Sequence, residues 1–365
     1  EDIAEFHLHG GAAVVTKLSE CLLEMKNVRL AEAGEFSLRA YRHGKMDLTQ
    51  LEGLADMIDA KTEFQRRQAI KLKNGWNGQI YDDLRSRIIG LMSHVEAAID
   101  FADEDLDAGS RQVIEQSVEA LRKEIDSHLK SSLNHETLRD GFRVVLAGAV
   151  NVGKSSLLNR LAMRDAAIVS EQAGTTRDII EIHMDLGGYP VIIQDTAGIR
   201  PTDNKVETIG IARSKSAMDK ADLIVAVGDH LCPSQDISSL CPVGKNLIHV
   251  RNKIDIAPHE ADEENVFAIS VLKDEGVDAL IAAIAEMVKD GFTQRESGLI
   301  LRLRHRDHLE KCLDALARIG AHGEDEVDLI GEDIREAAAH VGAITGKIDV
   351  EDMLDRVFSE FCIGK

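Results

Sequence analysis

Gly148-Ala-Val-Asn-Val-Gly-Lys154-Ser155 is the stretch that most restricts what this chain can fold into. An apolar run, Phe142-Arg-Val-Val-Leu-Ala147, leads into it, and Ser156-Leu-Leu-Asn-Arg-Leu161 leaves it. Strand, glycine loop and helix in that order make a phosphate-binding P-loop. Successive backbone N–H groups and the helix N-terminus offer partial positive charge to an anion. Asn151, Val152, Gly153, Lys154, Ser155 and Ser156 would wrap the phosphates. Lys154 would reach the β- and γ-phosphates, and the Ser155 hydroxyl would hold Mg2+. A glycine turn that merely starts a helix is the plain alternative, and the preceding strand weighs against it.

Bulk properties limit the partners. The formal charge of −21 excludes broad electrostatic binding to nucleic acid or anionic membrane. Aromatic residues make up 4% of the chain, too few for a base-stacking surface, so RNA contact needs a local patch or a partner. The five cysteines form no CxxC pair and leave an odd count, which reads as a reduced, cytoplasmic protein. No apolar run is long enough to span a bilayer. Glu1 opens the chain without methionine in strand-like residues, so a further N-terminal portion is expected.

The 365 residues suit two or three domains. Ile3–Leu8 alternates like a strand and Ala12–Leu23 suits a helix. Asp47 caps a helical pattern running from Leu48 to about Lys73, with Leu48, Leu51, Leu54, Ala55 and Ile58 on one face. As one helix it would be roughly 40 Å long. Trp76 to about Phe101 and Gln112 to Leu138 read as further helices, with narrow apolar stripes that predict an elongated bundle. Residues 142–290 alternate strands and helices, with a hairpin turn at Gly187-Gly188. From Arg302 the pattern is helical again, at about 303–320, 328–343 and 350–359. This segment is too small to stand alone, so an α/β domain is expected to be inserted into a helical domain made from both flanks. The expected divisions are 1–44, 45–140, 141–290 and 291–365.

Three further motifs define the nucleotide. Asp195-Thr196-Ala197-Gly198 follows a strand, where Asp195 can hold Mg2+ through water and the Gly198 N–H can sense a γ-phosphate. Gly174-Thr175-Thr176-Arg177-Asp178 precedes it in a loop, with Thr176 suited to be the second hydroxyl on Mg2+. Asn252-Lys253-Ile254-Asp255 follows the fifth strand. Asp255 can accept both N1–H and N2–H2 of guanine, a match that discriminates by about 10⁴ or more. Ser270, Val271 and Leu272 sit where a last loop would close on the base. All four motifs in this order point to GTP.

At these residues the chain resembles the translation-factor-related GTPases. The flanks narrow the likeness: GEFSLRAYRHGKMDLTQLEGLADMIDA and the terminal Phe361-Cys362-Ile363-Gly364-Lys365 resemble the MnmE (TrmE) family of tRNA modification GTPases. The resemblance implies a Ras-like α/β P-loop GTPase domain with a mixed, mostly parallel sheet. That domain would be inserted into an elongated helical bundle behind a partial N-terminal α/β domain for folate binding and dimerisation.

The resemblance also implies roles that spacing alone does not give. Ile199 stands where a Ras-like switch has its water-orienting glutamine. Glu207 would polarise the attacking water instead; by itself it reads as a favourable helix N-terminal glutamate. Ser170 and Thr175 would line the nucleotide. K+ would replace an arginine finger, held by Asn151, Ser170, Gln172 and Thr175. Glu5, Lys45 and Lys365 would contact a 5-formyl-tetrahydrofolate-like cofactor, and Cys362 would serve the modification chemistry. Without the resemblance, Cys362 reads as a helix-end cysteine. The chain would act as a homodimer with the flavoprotein MnmG (GidA) on the wobble uridine of tRNA, the partner binding most of the tRNA. A ribosome-assembly GTPase would need a basic RNA-binding module, and a dynamin-like scaffold a basic or amphipathic membrane patch. The sequence shows neither.

Overall fold

The structure, a computed structural model, describes residues 1–95, 108–164, 181–196, 215–235, 241–257, 266–293, 299–323 and 326–348. The N-terminal piece holds α1 (Ala12–Leu23) and α2 (Glu35–Arg42). Residues 1–11, expected to begin with a strand, carry none. A strand is stable only when its backbone is paired, and no described strand lies alongside it.

The first helical segment comprises α3 (Leu48–Asp59), α4 (Glu63–Lys73), α5 (Trp76–Gly90) and α6 (Ala108–Ser131). The single helix expected from Leu48 to Lys73 is therefore two. Ala60 leaves helical backbone at ψ 123°, and Thr62 starts a new helix through a capping box with Gln65. The third helix also stops early, at Ser131, before the short strand β1 (Leu133–Asn134) and α7 (His135–Asp140).

Beyond α7 comes the α/β unit: β2 (Phe142–Ala147), α8 (Lys154–Arg164), β3 (Glu181–Leu186), β4 (Tyr189–Asp195), β5 (Leu223–Gly228), β6 (Asn246–Arg251), β7 (Val266–Ala268) and α9 (Val277–Thr293). The six-stranded sheet has the order β3-β4-β2-β5-β6-β7, antiparallel only between β3 and β4. The central strands β2 and β5 are buried on both faces over most of their length, which is why Val144–Ala147 and Leu223–Val227 are apolar without a break. Val144 and Leu146 face one core with Leu157 and Leu161 of α8 and Leu280 and Ile284 of α9. Val145 and Ala147 face the other, with Ala217, Met218 and Ile224.

The chain then returns through β8 (Ile300–Leu301) to α10 (Leu303–Ile319) and α11 (Val327–Thr345). Tyr81, Leu84 and Ile88 of α5 share one hydrophobic core with Leu121 and Ile125 of α6, Leu309 and Leu316 of α10, and Ile334 and Val341 of α11. Both flanks thus build one helical bundle, and the α/β unit is inserted in it. At the neck β1 and β8 pair in parallel, Leu133 opposite Ile300.

Helix α4 also reaches into the α/β unit. Phe64 lies in that unit's core, its ring 5.1 Å from Tyr189 and 4.7 Å from Phe292, and its N–H donates to Gly188 O at 3.0 Å. The Gln65 amide donates to Leu138 O and Arg139 O at 3.0 and 2.9 Å.

Candidate functional site

The site forms at the C-terminal ends of parallel strands, where an open α/β sheet binds ligands. The loop after β2 turns through Asn151 at φ 69° and Gly153 at φ 102°, both left-handed. Gly153 is required there: a side chain would strain the backbone and its Cβ would strike Asn252 Nδ2. A Cβ at Gly148 would strike Val227 O, so the loop lies tight against β5. Val152 is buried beneath it, while Asn151, Ser155 and Ser156 face solvent.

Lys154 is 6% exposed, its ammonium donating to Gly148 O at 3.0 Å and Ala149 O at 2.9 Å. Burial lowers its pKa against the opposing pull of Asp195. The Ser155 hydroxyl donates to Asp195 Oδ2 at 2.5 Å, while Asp195 Oδ1 is buried with no hydrogen-bond partner among the described residues. A buried carboxylate oxygen without a partner beside a hydroxyl suits a hard divalent cation, which takes oxygen ligands. Ser155 and Asp195 therefore fit Mg2+. Thr196 seals the strand end, its N–H and hydroxyl both donating to Leu146 O.

The Asn252–Asp255 turn closes on the P-loop from β6. The Asn252 amide donates to Val152 O at 2.9 Å and accepts from the Val271 N–H at 3.2 Å. Lys253 donates to Asn151 O and to Asp229 Oδ2, both at 2.7 Å. Asp255 accepts from the Ser270 hydroxyl at 2.6 Å, a bond that holds its carboxyl below the usual range. Ser270 is fully buried and Leu272 is exposed. The loop is shaped by Ser270 and Glu275, which exchange two backbone hydrogen bonds.

The structure thus brings together Asn151, Val152, Gly153, Lys154, Ser155, Asp195, Thr196, Asn252, Lys253, Asp255, Ser270 and Val271. Ser170, Gln172, Thr175, Thr176, Ala197, Gly198, Glu207, Cys362 and Lys365 lie outside the described residues. Glu5 and Lys45 are exposed in the N-terminal piece, Glu5 3.9 Å from His7 Nε2. Asp229 was not among the residues picked from the sequence, because only the fold brings it to Lys253. A separate cavity of about 680 Å3, lined by Asp59, Lys61, Arg139 and His183 among others, borders none of the site residues.

Comparison with known proteins agrees with this geometry. A family model described as the MnmE helical domain matches residues 48–362, and one described as the GTP-binding protein TrmE N-terminus matches residues 1–45. The tRNA modification GTPase MnmE of Parvibaculum lavamentivorans is 44% identical over 369 residues, covering 100% of this chain and 83% of that protein. Its counterpart in Paramagnetospirillum magneticum is 44% identical over 373 residues, with the same coverage. A crystal structure of Aquifex aeolicus Era is 26% identical and covers 47% of this chain and 66% of that one, at a TM-score of 0.34, too low to carry an inference.

Proposed function

Because the chain belongs to the MnmE family of tRNA modification GTPases, we propose that it hydrolyses GTP at the P-loop and couples hydrolysis to modification of the tRNA wobble uridine. The observation that carries the nucleotide reading is the grip of Asn252 and Lys253 on two successive P-loop carbonyls, with Asp255 beside them. That arrangement lets a turn able to read guanine and a loop able to hold phosphates form one rigid surface.

On an incoming phosphate, Lys154 would exchange the carbonyls of Gly148 and Ala149 for phosphate oxygens. Ser155 and Asp195 would hold Mg2+, joined by Thr176, and the ion would offset phosphate charge. Glu207 would orient water. Asn151, Ser170, Gln172 and Thr175 would hold K+, whose charge would meet that developing on the leaving oxygen. GTPase rates in K+ and Na+ buffers test this: faster turnover in K+ is expected, and equal rates would remove the ion from the mechanism.

We place the dimerising and folate-binding part in residues 1–44, the GTPase domain in 141–290 and the helical domain in 45–140 and 291–365. Glu5, Lys45 and Lys365 would contact a formyl-tetrahydrofolate, with Cys362 beside it. Lysines suit the glutamyl tail of folate, and a carboxylate suits the amide-like pterin edge. The homodimer would work in the cytoplasm with the flavoprotein MnmG. With a net charge of −21, this chain suits a division of labour in which the partner holds most of the tRNA. Among the described residues no helix is long and apolar enough to cross a membrane. The decisive experiment is analysis of tRNA nucleosides from cells lacking the protein. Loss of the wobble-uridine modification is expected, and an unchanged profile would overturn the assignment. A Cys362→Ser variant with full modification activity would exclude an essential thiol.

A further inference from the structure

We propose that Asp229 is a positioning residue for nucleotide binding: it pins Lys253 to the Asn151 carbonyl and so locks the guanine-reading turn onto the P-loop. The inference rests on the reading of this site as one for guanine nucleotide.

Asp229 follows β5 directly and is 6% exposed. Its carboxylate is divided between two tasks. Oδ1 accepts the N–H groups of Leu231 and Cys232, each at 3.0 Å, and Oδ2 accepts the Lys253 ammonium at 2.7 Å. The Asp229 N–H donates to Cys232 O at 2.9 Å, so the loop wraps its own aspartate and fixes the direction of Oδ2. Gly228 makes that wrap possible, since a Cβ there would strike Ser234 N and Cys232 O. Burial pushes the carboxyl up, but Lys253 and the two N–H groups outweigh it and leave the pKa below the usual value. Asp229 is therefore an anion.

The lysine needs that anion. A lysine ammonium is strongly hydrated and sits on a flexible stem, so a lone carbonyl holds it weakly against water. Lys253 here takes a left-handed backbone at φ 66° and grips Asn151, also left-handed at φ 69°. Non-glycine residues in that region persist only where their surroundings over-determine them. One ammonium, fixed by Asp229, spans both. The neighbouring Asn252–Val152 contact is a buried hydrogen bond between neutral groups, so Lys253 is the link that depends on a charged partner.

The test is a double-mutant cycle in the full chain with Asp229→Asn, Lys253→Met and the pair, reading fluorescent GDP affinity and release in Na+ buffer. Asp229→Asn keeps an oxygen for the Leu231 and Cys232 N–H groups, while the group facing Lys253 becomes an uncharged NH2 that cannot accept from the ammonium. Hydrogen bonds to charged groups are strong enough that it should weaken GDP about tenfold. In the Lys253→Met background the same change should do nothing further. Nucleotide-free melting of Asp229→Asn, run alongside, shows that the variant is folded at the temperature of the binding assay. GDP affinity within twofold of wild type for Asp229→Asn, or additive losses in the pair, would overturn the proposal; additivity would mark a structural role for the loop alone. A wild-type chain that failed to bind GDP at all would instead sink the nucleotide reading, and this inference with it. The Na+ buffer keeps the outcome independent of the K+ assignment.

Discussion

Replacing Glu52 by Gln is the sharpest test of how the two flanks are joined. Glu52 of α3 is 3% exposed and meets residues about 250 positions later in the chain. Arg304 Nε donates to it at 2.6 Å, His305 Nε2 lies at 2.9 Å and Arg302 Nε at 3.6 Å. His305 Nδ1 accepts the Arg302 N–H at 3.4 Å, which leaves its proton on Nε2, facing the carboxylate. Removing one partner from a buried ion pair costs about 3–5 kcal/mol. Arg302 would keep Asp56 at 2.6 Å, and Arg304 would keep Ile344 O at 2.9 Å, so the lower end applies, about 3 kcal/mol. For a unit of this size that is a drop of roughly 6–12 °C in the melting of the bundle. Calorimetry with and without GDP separates the two units, because ligand raises only the transition of the unit that binds it. The reasoning fails if the bundle transition moves by less than about 2 °C, less than 1 kcal/mol would give.

Acid gives the same network a second reading. Burial opposes ionisation of Glu52, but Arg304, His305 and Arg302 overcome it and hold the pKa well below 4.5. A carboxylate depressed on folding adds stability that is full above its unfolded pKa and is lost as pH falls through its folded one. The gap between wild type and Glu52→Gln should therefore hold at neutral pH and close below pH 4.5. Burial lowers His305 to about 4 from 6.5, against the pull of Glu52, so His305 is neutral at pH 7. Its contribution is also full above the unfolded value and lost between pH 6.5 and about 4. Wild-type stability should fall across that window, and stability that stayed flat from pH 7 to 4 would contradict the buried neutral histidine.

Three further outcomes are expected. Phe64→Ala removes a ring that packs against the stacked pair Tyr189 and Phe292, and such truncations cost about 3–5 kcal/mol. The loss should appear in the GDP-sensitive transition although Phe64 belongs to the helical segment, and a change confined to the bundle transition would refute the contact. Asn252→Ala leaves the Val271 N–H and Val152 O without their partner, at about 1–3 kcal/mol per stranded group. Titration should show GDP affinity reduced by tenfold or more, on the order of 1.4 kcal/mol, and undiminished affinity would show the clamp to be idle. Asp255→Ala should erase the preference for GDP over ADP, on the order of 10⁴, measured by competition.

Much of the α/β unit was legible because its signals are local. Doubly buried strands read as almost wholly apolar runs, and the P-loop glycines mark its left-handed turn at Gly153 and its close approach to β5 at Gly148. The break between α3 and α4 was legible too, but was overridden by the apolar stripe. Thr62-x-x-Gln65 is a helix-start signature, and the stripe continues across it because both helices face the same neighbours. The N-terminal strand failed for the opposite reason: alternation marks a chain that suits a sheet, and a sheet needs a second strand to pair with.

What the sequence does not carry is the meeting of charges far apart in the chain. Glu52 reads as one more polar residue on a striped helix, and only the packing of α3 against α10 makes it a buried anion. Asp229 reads as the polar stop after β5, and only the pairing of β5 with β6 sets it beside Lys253. In each case the local pattern specifies an element, and the element's neighbours decide whether its charge is solvated or structural. Strand β4 shows both in one element. Its apolar interior could be read directly, yet its ends, Tyr189 against Phe64 of the bundle and Asp195 against Ser155 of the P-loop, acquire their roles only from what packs there. Seven residues of strand, about 20 Å, thus separate the contact with the bundle from the carboxylate suited to the metal. Hydrogen bonds to β3 on one side and β2 on the other hold that span in the sheet.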